Sequence, residues 1–289
     1  MVTVKFMETK KEMEYLPLSV VTITRNAEKT LENTLRSIKT NNPAEMIVVD
    51  GNSTDSTLEI ARKYTDRIYS DGGRGMGYAS QLGAEKATQE FVAFIDSDVT
   101  LPEGSLATML EELRNSDYIA VSARQFHPPE PLTYWERAAD ERGKLSKARR
   151  PEGFLGTLAC IFRRETILKY QFDTVEKHLH DVDLEMRIRR DGHKFGVSAA
   201  QVYHLHHFSF KGFIHYRYFE GQVIIRYIKK WGPFHLHFWP PLYNLYWLAF
   251  CVFRGKWNLI PYVVVDDVVQ TAGMVKGSFN LISNVSKRS

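Results

Sequence analysis

The sequence predicts an α/β fold: an open, mostly parallel sheet covered by helices. Short β-branched runs alternate with helix-period segments through the first half, and short turns join them. Polar groups also recur at the carboxyl ends of those runs, where open α/β sheets bind their ligands. The composition agrees, with 289 residues, 44% hydrophobic and 25% charged. That balance buries a core and excludes disorder, collagen-like repeats and a disulfide scaffold. The net charge of +4, from 38 basic and 34 acidic residues, is too mild for a nucleic-acid binder. Cys160 and Cys251 sit far apart in apolar runs. They read as buried free thiols of a reducing compartment, without zinc spacing.

Taken in order, Leu18 to Thr24 (LSVVTIT) suits a buried parallel strand. Leu31, Leu35 and Ile38 then fall on one helix face. Met46 to Val49 is a second strand ending at Asp50, and Asp55 caps the helix that follows. Arg67 to Tyr69 forms a third strand. The loop Asp71-Gly-Gly-Arg-Gly-Met-Gly leads into a helix over about Tyr78 to Thr88, and Phe91 to Ile95 (FVAFI) is the fourth strand, closed by Asp96-Ser97-Asp98. Further on, Tyr118 to Ala123 reads as a strand, Pro128, Pro129 and Pro131 as a loop, and Leu132 to Lys147 as a charged helix. Gly153 to Thr157 is a turn before a strand from Leu158 to Phe162. Val182 to Arg190 is helical and stopped by Gly192, and Gln201 to His204 is a last short strand.

Three segments follow: an amino-terminal extension (residues 1–15), the α/β domain (residues 16–207) and an aromatic, basic helical region (residues 208–289). Residues 208 to 262 hold 18 of the 36 aromatics, and Lys211, Arg217, Arg226, Lys229 and Lys230 are interleaved with them. Such a helix either lies at a membrane interface or caps the first domain. Trp231 to Phe253 carries no Asp, Glu, Lys or Arg, but Pro233, Pro240 and Pro241 interrupt it and His235 and His237 lie within it, against a straight spanning helix. The amino-terminal residues mix both charges without an apolar core, unlike a secretory signal. A cytoplasmic location, peripheral on the cytosolic membrane face, is expected.

Asp96-x-Asp98 carries the chemistry. Two carboxylates after a buried strand repel unless a cation neutralises them, and hard oxygen ligands suit Mg²⁺ or Mn²⁺ with phosphate oxygens. Asp50, at an earlier strand end, is placed to accept hydrogen bonds from ribose hydroxyls or a base. Arg74, in the glycine loop, either reaches toward a diphosphate or is an exposed loop arginine. A neutral His204 after the last strand suits Mn²⁺; a structural histidine is the other reading.

SVVTITRNAEKTLENTLRSI, IVVDGNSTDST, GAEKATQEFVAFIDSDV and HDVDLEMRIRRDG stand in the order seen in glycosyltransferase family 2, which the chain resembles from Leu16 to His207. The resemblance implies a GT-A fold, a nucleotide-diphosphate sugar donor (a UDP-sugar favoured), a divalent metal (Mn²⁺ or Mg²⁺) and inversion at the anomeric carbon. It places Thr24 and Asp50 at the nucleobase and ribose, with Asn26 in the same donor site and Arg74 near the base or diphosphate. Asp96 falls at the ribose or metal shell, Asp98 on the metal with His204 completing the shell, and Asp181 at the acceptor-activating carboxylate. Two departures are visible: His180 stands where the family more often has Glu, and Arg25-Asn26 replaces the usual Tyr-Asn. Gly153 to Thr157 is expected to shape the acceptor-sugar pocket. The acceptor is expected to be a glycan or a polyprenyl-phosphate type, met at the membrane surface. A catalytically degenerate domain that binds a nucleotide sugar or a membrane is an alternative. A sugar nucleotidyltransferase is another, but it would carry a glycine-rich loop with Arg and Lys near the first strand, where Thr24-Arg25-Asn26 stands instead.

Overall fold

The computed structural model describes residues 15–126, 133–147, 155, 157–175, 179–204, 209–232 and 239–286. The extension up to residue 14, the proline loop at Pro128, Pro129 and Pro131, and Gly153 and Gly156 lie outside them. So do His206, His207, Pro233, His235 and His237.

Parallel strands β1 (Leu16–Thr24), β2 (Pro43–Asp50), β3 (Ile68–Ser70) and β4 (Phe91–Ile95) alternate with helices α1 (Leu31–Thr40), α2 (Thr57–Arg62) and α3 (Met76–Lys86). A short β5 (Val99–Thr100) and α4 (Ser105–Arg114) lead into β6 (Ala120–Phe126) and α5 (Tyr134–Lys147). Then come β7 (Ala159–Arg163), α6 (Arg164–Tyr170), α7 (His180–Arg190) and β8 (Phe195–His204). The strands form one sheet in the order β3-β2-β1-β4-β7-β6-β8-β5. The half from β3 to β4 is parallel, as expected. The other half is mixed, because β7 runs antiparallel to both β4 and β6 while β6 and β8 are parallel.

The FVAFI strand explains why the sheet needs helices on both faces. Successive side chains point to opposite sides. Phe91, Ala93 and Ile95 enter a core layer with Leu18, Val20 and the inner faces of α1 and α4. Val92 and Phe94 enter the opposite layer, with Val21, Phe162, and Leu184 and Ile188 of α7. Phe94 also meets Phe162 and Phe172 edge to face, and truncating so buried a ring costs about 3–5 kcal/mol. On that face α3 sits close to β1, since a Cβ on Gly83 would stand 2.3 Å from Val21.

The carboxyl-terminal helices are α8 (Phe210–Trp231), α9 (Pro240–Phe253) and α10 (Ile260–Ser286). They form their own core with α5, in which Trp135 stacks on Phe213 at 5.1 Å among Trp247, Tyr262 and Val263. Contacts of Ile224 and Tyr227 with Leu179, Val182 and Met186 join α8 to α7. Phe213 and Tyr227 are thus buried rather than offered to solvent. Exposed apolar residues lie on α8 (Phe210, Tyr216, Phe219), α9 (Leu242, Leu245, Tyr246, Phe253) and α10 (Val264, Val268, Val275, Phe279). Among the described residues, no helix is long and apolar enough to cross a membrane.

Candidate active site

Parallel pairing puts Thr24 beside Asp50 at the carboxyl ends of β1 and β2. Both are buried, and the Thr24 hydroxyl has no hydrogen-bond partner among the described residues. Ser53 donates to the Asp50 carboxylate from its hydroxyl at 2.5 Å and its backbone N–H at 3.0 Å, closing the turn after β2. Asn26 sits in the left-handed region with φ 51°, and its Oδ1 accepts from Thr54 N–H at 2.8 Å. It ties the β1 loop to the β2 loop. Asp55 accepts from Thr57 N–H at 3.1 Å and from Glu28 N–H at 3.2 Å, so it stabilises the start of α2 and the neighbouring loop together. The Thr57 hydroxyl, first among several hydrogen bonds, lowers its pKa.

The glycine loop is organised by buried Asp71, whose carboxylate accepts from Gly73 N–H at 2.6 Å and Gly75 N–H at 3.2 Å. Gly72, Gly73 and Gly75 all have positive φ, which favours glycine. Arg74 is exposed and lies 3.5 Å over the Tyr78 ring, a cation–π contact that the sequence did not reveal. In this structure Arg74 rests on that ring.

Beyond β4 the acidic groups meet. Antiparallel pairing of β5 with β8 sets Val99 opposite His204, and His204 Nε2 stands 3.1 Å from the Asp98 carboxylate. Gln125, on neighbouring β6, hydrogen-bonds His204 Nδ1 at 2.8 Å. The Asp96 carboxyl is pushed well above its ordinary range by burial, then by the charges of Asp98 and Asp181. The Cys160 thiol is likewise raised, by burial and then by Asp96. Asp98 and Asp181 thus lie within electrostatic reach of Asp96.

Asp181 lies in the first turn of α7, where the helix dipole favours negative charge. Its neighbours face elsewhere. Buried His180 meets Ser80 Oγ of α3 through Nε2 at 3.1 Å. Asp183 is fully buried and held by Arg187 at 2.9 Å, the Trp231 indole N–H at 3.0 Å and Lys230 at 2.7 Å. Asp183 therefore ties α7 to α8, leaving Asp181 as the half-buried carboxylate of the pair.

Sequence reasoning missed Gln125 and Asp71. Only the β6–β8 register brings Gln125 to His204. The Asp71-Gly-Gly run was a readable signal for a side chain that closes its own loop. Among the described residues, no group of three or more His, Cys, Asp or Glu is arranged to hold a metal ion. Asp98 with His204 supplies two donors.

The family model described as "Glycosyl transferase family 2" matches residues 19–172, more than half of the chain. The chain belongs to glycosyltransferase family 2. A Campylobacter jejuni relative, the GalNAc(5)-diNAcBac-PP-undecaprenol beta-1,3-glucosyltransferase, is 34% identical over 107 residues, 33% of this chain and 34% of that one. The chain spans about a third of the length of the curated relatives it matches. Among solved structures, the Pyrobaculum calidifontis mannosyltransferase PcManGT, in complex with GDP-Man and Mn²⁺, superposes with a TM-score of 0.59 at 19% identity, over 95% of this chain and 81% of that one. Glucosyl-3-phosphoglycerate synthase from Mycobacterium tuberculosis, with Mg²⁺ and UDP, gives 0.56 at 20% identity, over 76% and 81%. These likenesses establish the GT-A fold of this family 2 chain.

Proposed function

We propose that this family 2 chain is an inverting, metal-dependent glycosyltransferase that moves a sugar from a nucleoside-diphosphate donor, a UDP-sugar favoured, to an acceptor hydroxyl or phosphate. The observation that carries this reading is the pairing of Asp98 with His204 beyond the sheet, with Asp96 within electrostatic reach of Asp98 and Asp181. A carboxylate beside an imidazole nitrogen is a donor pair suited to Mn²⁺ or Mg²⁺, and a cation there would offset the repulsion between Asp96 and Asp98. Asp98 and His204 would hold the ion. When bound, it neutralises the charge that builds on the leaving diphosphate. Thr24, whose buried hydroxyl is unpartnered among the described residues, and Asp50 receive the base and ribose. Asn26 holds the floor of that subsite through its bond to Thr54. Arg74 reaches the diphosphate by leaving the Tyr78 ring.

Inversion needs one base on the face opposite the leaving group. Asp181 takes the acceptor hydroxyl's proton as that oxygen attacks the anomeric carbon, and the nucleoside diphosphate departs with the bonding electrons. Asp183, fully engaged in ion pairs, is unsuited to the role. The exposed apolar faces of α9 and α10 support peripheral attachment to the cytosolic membrane face, where a glycan or polyprenyl-phosphate acceptor is met. The Campylobacter relative is named for an undecaprenol-linked glycan, which supports an acceptor of lipid-linked type.

Asp181→Asn tests the assignment. It is expected to lower transfer at least a thousandfold while nucleotide binding persists. Turnover within tenfold of the parent protein would remove Asp181 from the role of base.

A further inference from the structure

Helix α7 begins without a side-chain cap, and its N-cap residue, Leu179, stands in the left-handed region with φ 57° and ψ 21°. Crowding at Cβ makes that region costly for a branched apolar residue, so it persists only where neighbours hold it. The Leu179 carbonyl accepts from Asp183 N–H at 3.1 Å, the bond that closes the first turn. Asp181 is the middle residue of the turn closed in this way. Whatever holds the two ends of that bond sets where Asp181 stands.

Helix α8 holds both ends. The hydroxyl of buried Tyr227 donates to the Leu179 carbonyl. The Trp231 indole N–H donates to the Asp183 carboxylate at 3.0 Å. Tyr227 and Trp231 stand at i and i+4 on α8, as Leu179 and Asp183 do along α7, so each pair shares one helix face. Leu179, Val182 and Met186 pack with Ile224 and Tyr227 between the same two helices. Arg187 and Lys230 already balance the charge of Asp183. The neutral indole therefore adds direction rather than counter-charge. A third hold comes from α3, where Ser80 Oγ meets His180 Nε2 at 3.1 Å, and the His180 ring lies 5.3 Å from that of Phe172.

We infer that Tyr227 and Trp231 are positioning residues, a two-rung clamp through which α8 fixes the first turn of α7 and with it Asp181. The inference rests on the transferase reading, in which Asp181 is the base. Helix α8 is itself seated closely on α10, since a Cβ on Gly221 would stand 2.2 Å from the Gln270 carbonyl oxygen. The helical cap thus orders the turn that carries the base, in addition to offering its outer face to a membrane.

NMR of the full chain with carboxyl-¹³C aspartate tests the clamp, with Asp181→Asn assigning the resonance. Tyr227→Phe and Trp231→Phe each keep an aromatic ring and remove one donor. Each should move the Asp181 carboxyl resonance. Each should also speed hydrogen exchange of the Asp183 amide by about threefold or more, as loss of one hydrogen bond predicts, while the Ile188 amide further along α7 stays within about twofold. A merely stabilising role would speed both amides together and leave the resonance in place. An Asp181 resonance unmoved in either variant overturns the clamp, as does equal acceleration of the two amides. If Trp231→Phe fails to fold, Tyr227→Phe decides. Titration of the parent protein with UDP and GDP plus Mn²⁺ separates the two failures. Nucleotide binding with an unmoved resonance sinks only the clamp, whereas a moved resonance without nucleotide binding sinks the transferase reading and leaves the clamp.

Discussion

Asp98 and His204 are separated by 106 positions in the chain and by 3.1 Å in space. Such convergence was partly legible. Thr24, Asp50 and Asp96 each follow a β-branched or apolar run, so the strand-end rule alone marks them. Asp181 was marked by its motif, and the structure adds that Asp183 is enclosed by Arg187, Lys230 and Trp231. Gln125 was invisible, since its contact with His204 depends on the irregular register between β6 and β8. Partners of metal-binding histidines fix ring orientation, and losing one costs about 10–100-fold in metal affinity. Gln125→Leu is therefore expected to weaken Mn²⁺ binding by that factor, read by calorimetry with nucleotide present. An unchanged Mn²⁺ affinity would exclude Gln125 from the proposed metal site.

At the scale of elements, the parallel β1–β4 half was readable because each strand is followed by a helix of its own. The mixed half was not. Strand β7 inserts between β4 and β6 through non-local pairing that no turn signal announces. Helix α4 carried a signal that went unread, with Leu106, Met109, Leu110 and Leu113 on one buried face. The helical region depends on its buried ion network. Burial alone would raise the Asp266 carboxyl, but Arg217 and Arg142 outweigh it and hold it below its ordinary value. A depressed carboxylate contributes stability that is complete above its unfolded pKa, about 3.9, and is lost as pH falls through the lower folded value. Thermal unfolding should thus show a midpoint falling below about pH 4, with a shallower fall in Asp266→Asn. At pH 7 that variant, which leaves two guanidinium groups without their shared counter-charge, should lose about 3–5 kcal/mol. Equal pH profiles for the two proteins would rule the network out as the source. Helices α8 and α10 also cross at Gly221, Gly273 and Gly277, where added carbons would strike backbone. Gly273→Leu should lower the unfolding midpoint by the equivalent of at least about 1–3 kcal/mol, and an unshifted midpoint would contradict the close crossing.

The whole molecule divides its labour between a sheet edge that gathers acids and a helical cap that adjoins it through α7. The aromatic content of the cap was legible from composition, but its orientation was not. Buried Phe213 and Tyr227 make the core, while Leu245 at 62% and Phe253 at 87% exposure face outward. Full-length protein should float with vesicles containing anionic lipid, and Leu245→Glu combined with Phe253→Glu and Val268→Glu should reduce the bound fraction at least tenfold. These side chains are exposed, so unfolding midpoints should stay close to the parent value. Flotation that is absent, or indifferent to the three substitutions, would argue against membrane attachment through this face.

The most direct test of the central claim is a calorimetric titration with UDP and GDP, with and without Mn²⁺, on the parent protein and on Asp98→Ala. The account predicts that one nucleotide binds only when Mn²⁺ is present and that this binding disappears in the variant. Nucleotide binding that needs neither Mn²⁺ nor Asp98, or no binding of either nucleotide, would contradict a metal-dependent transferase built on these aspartates.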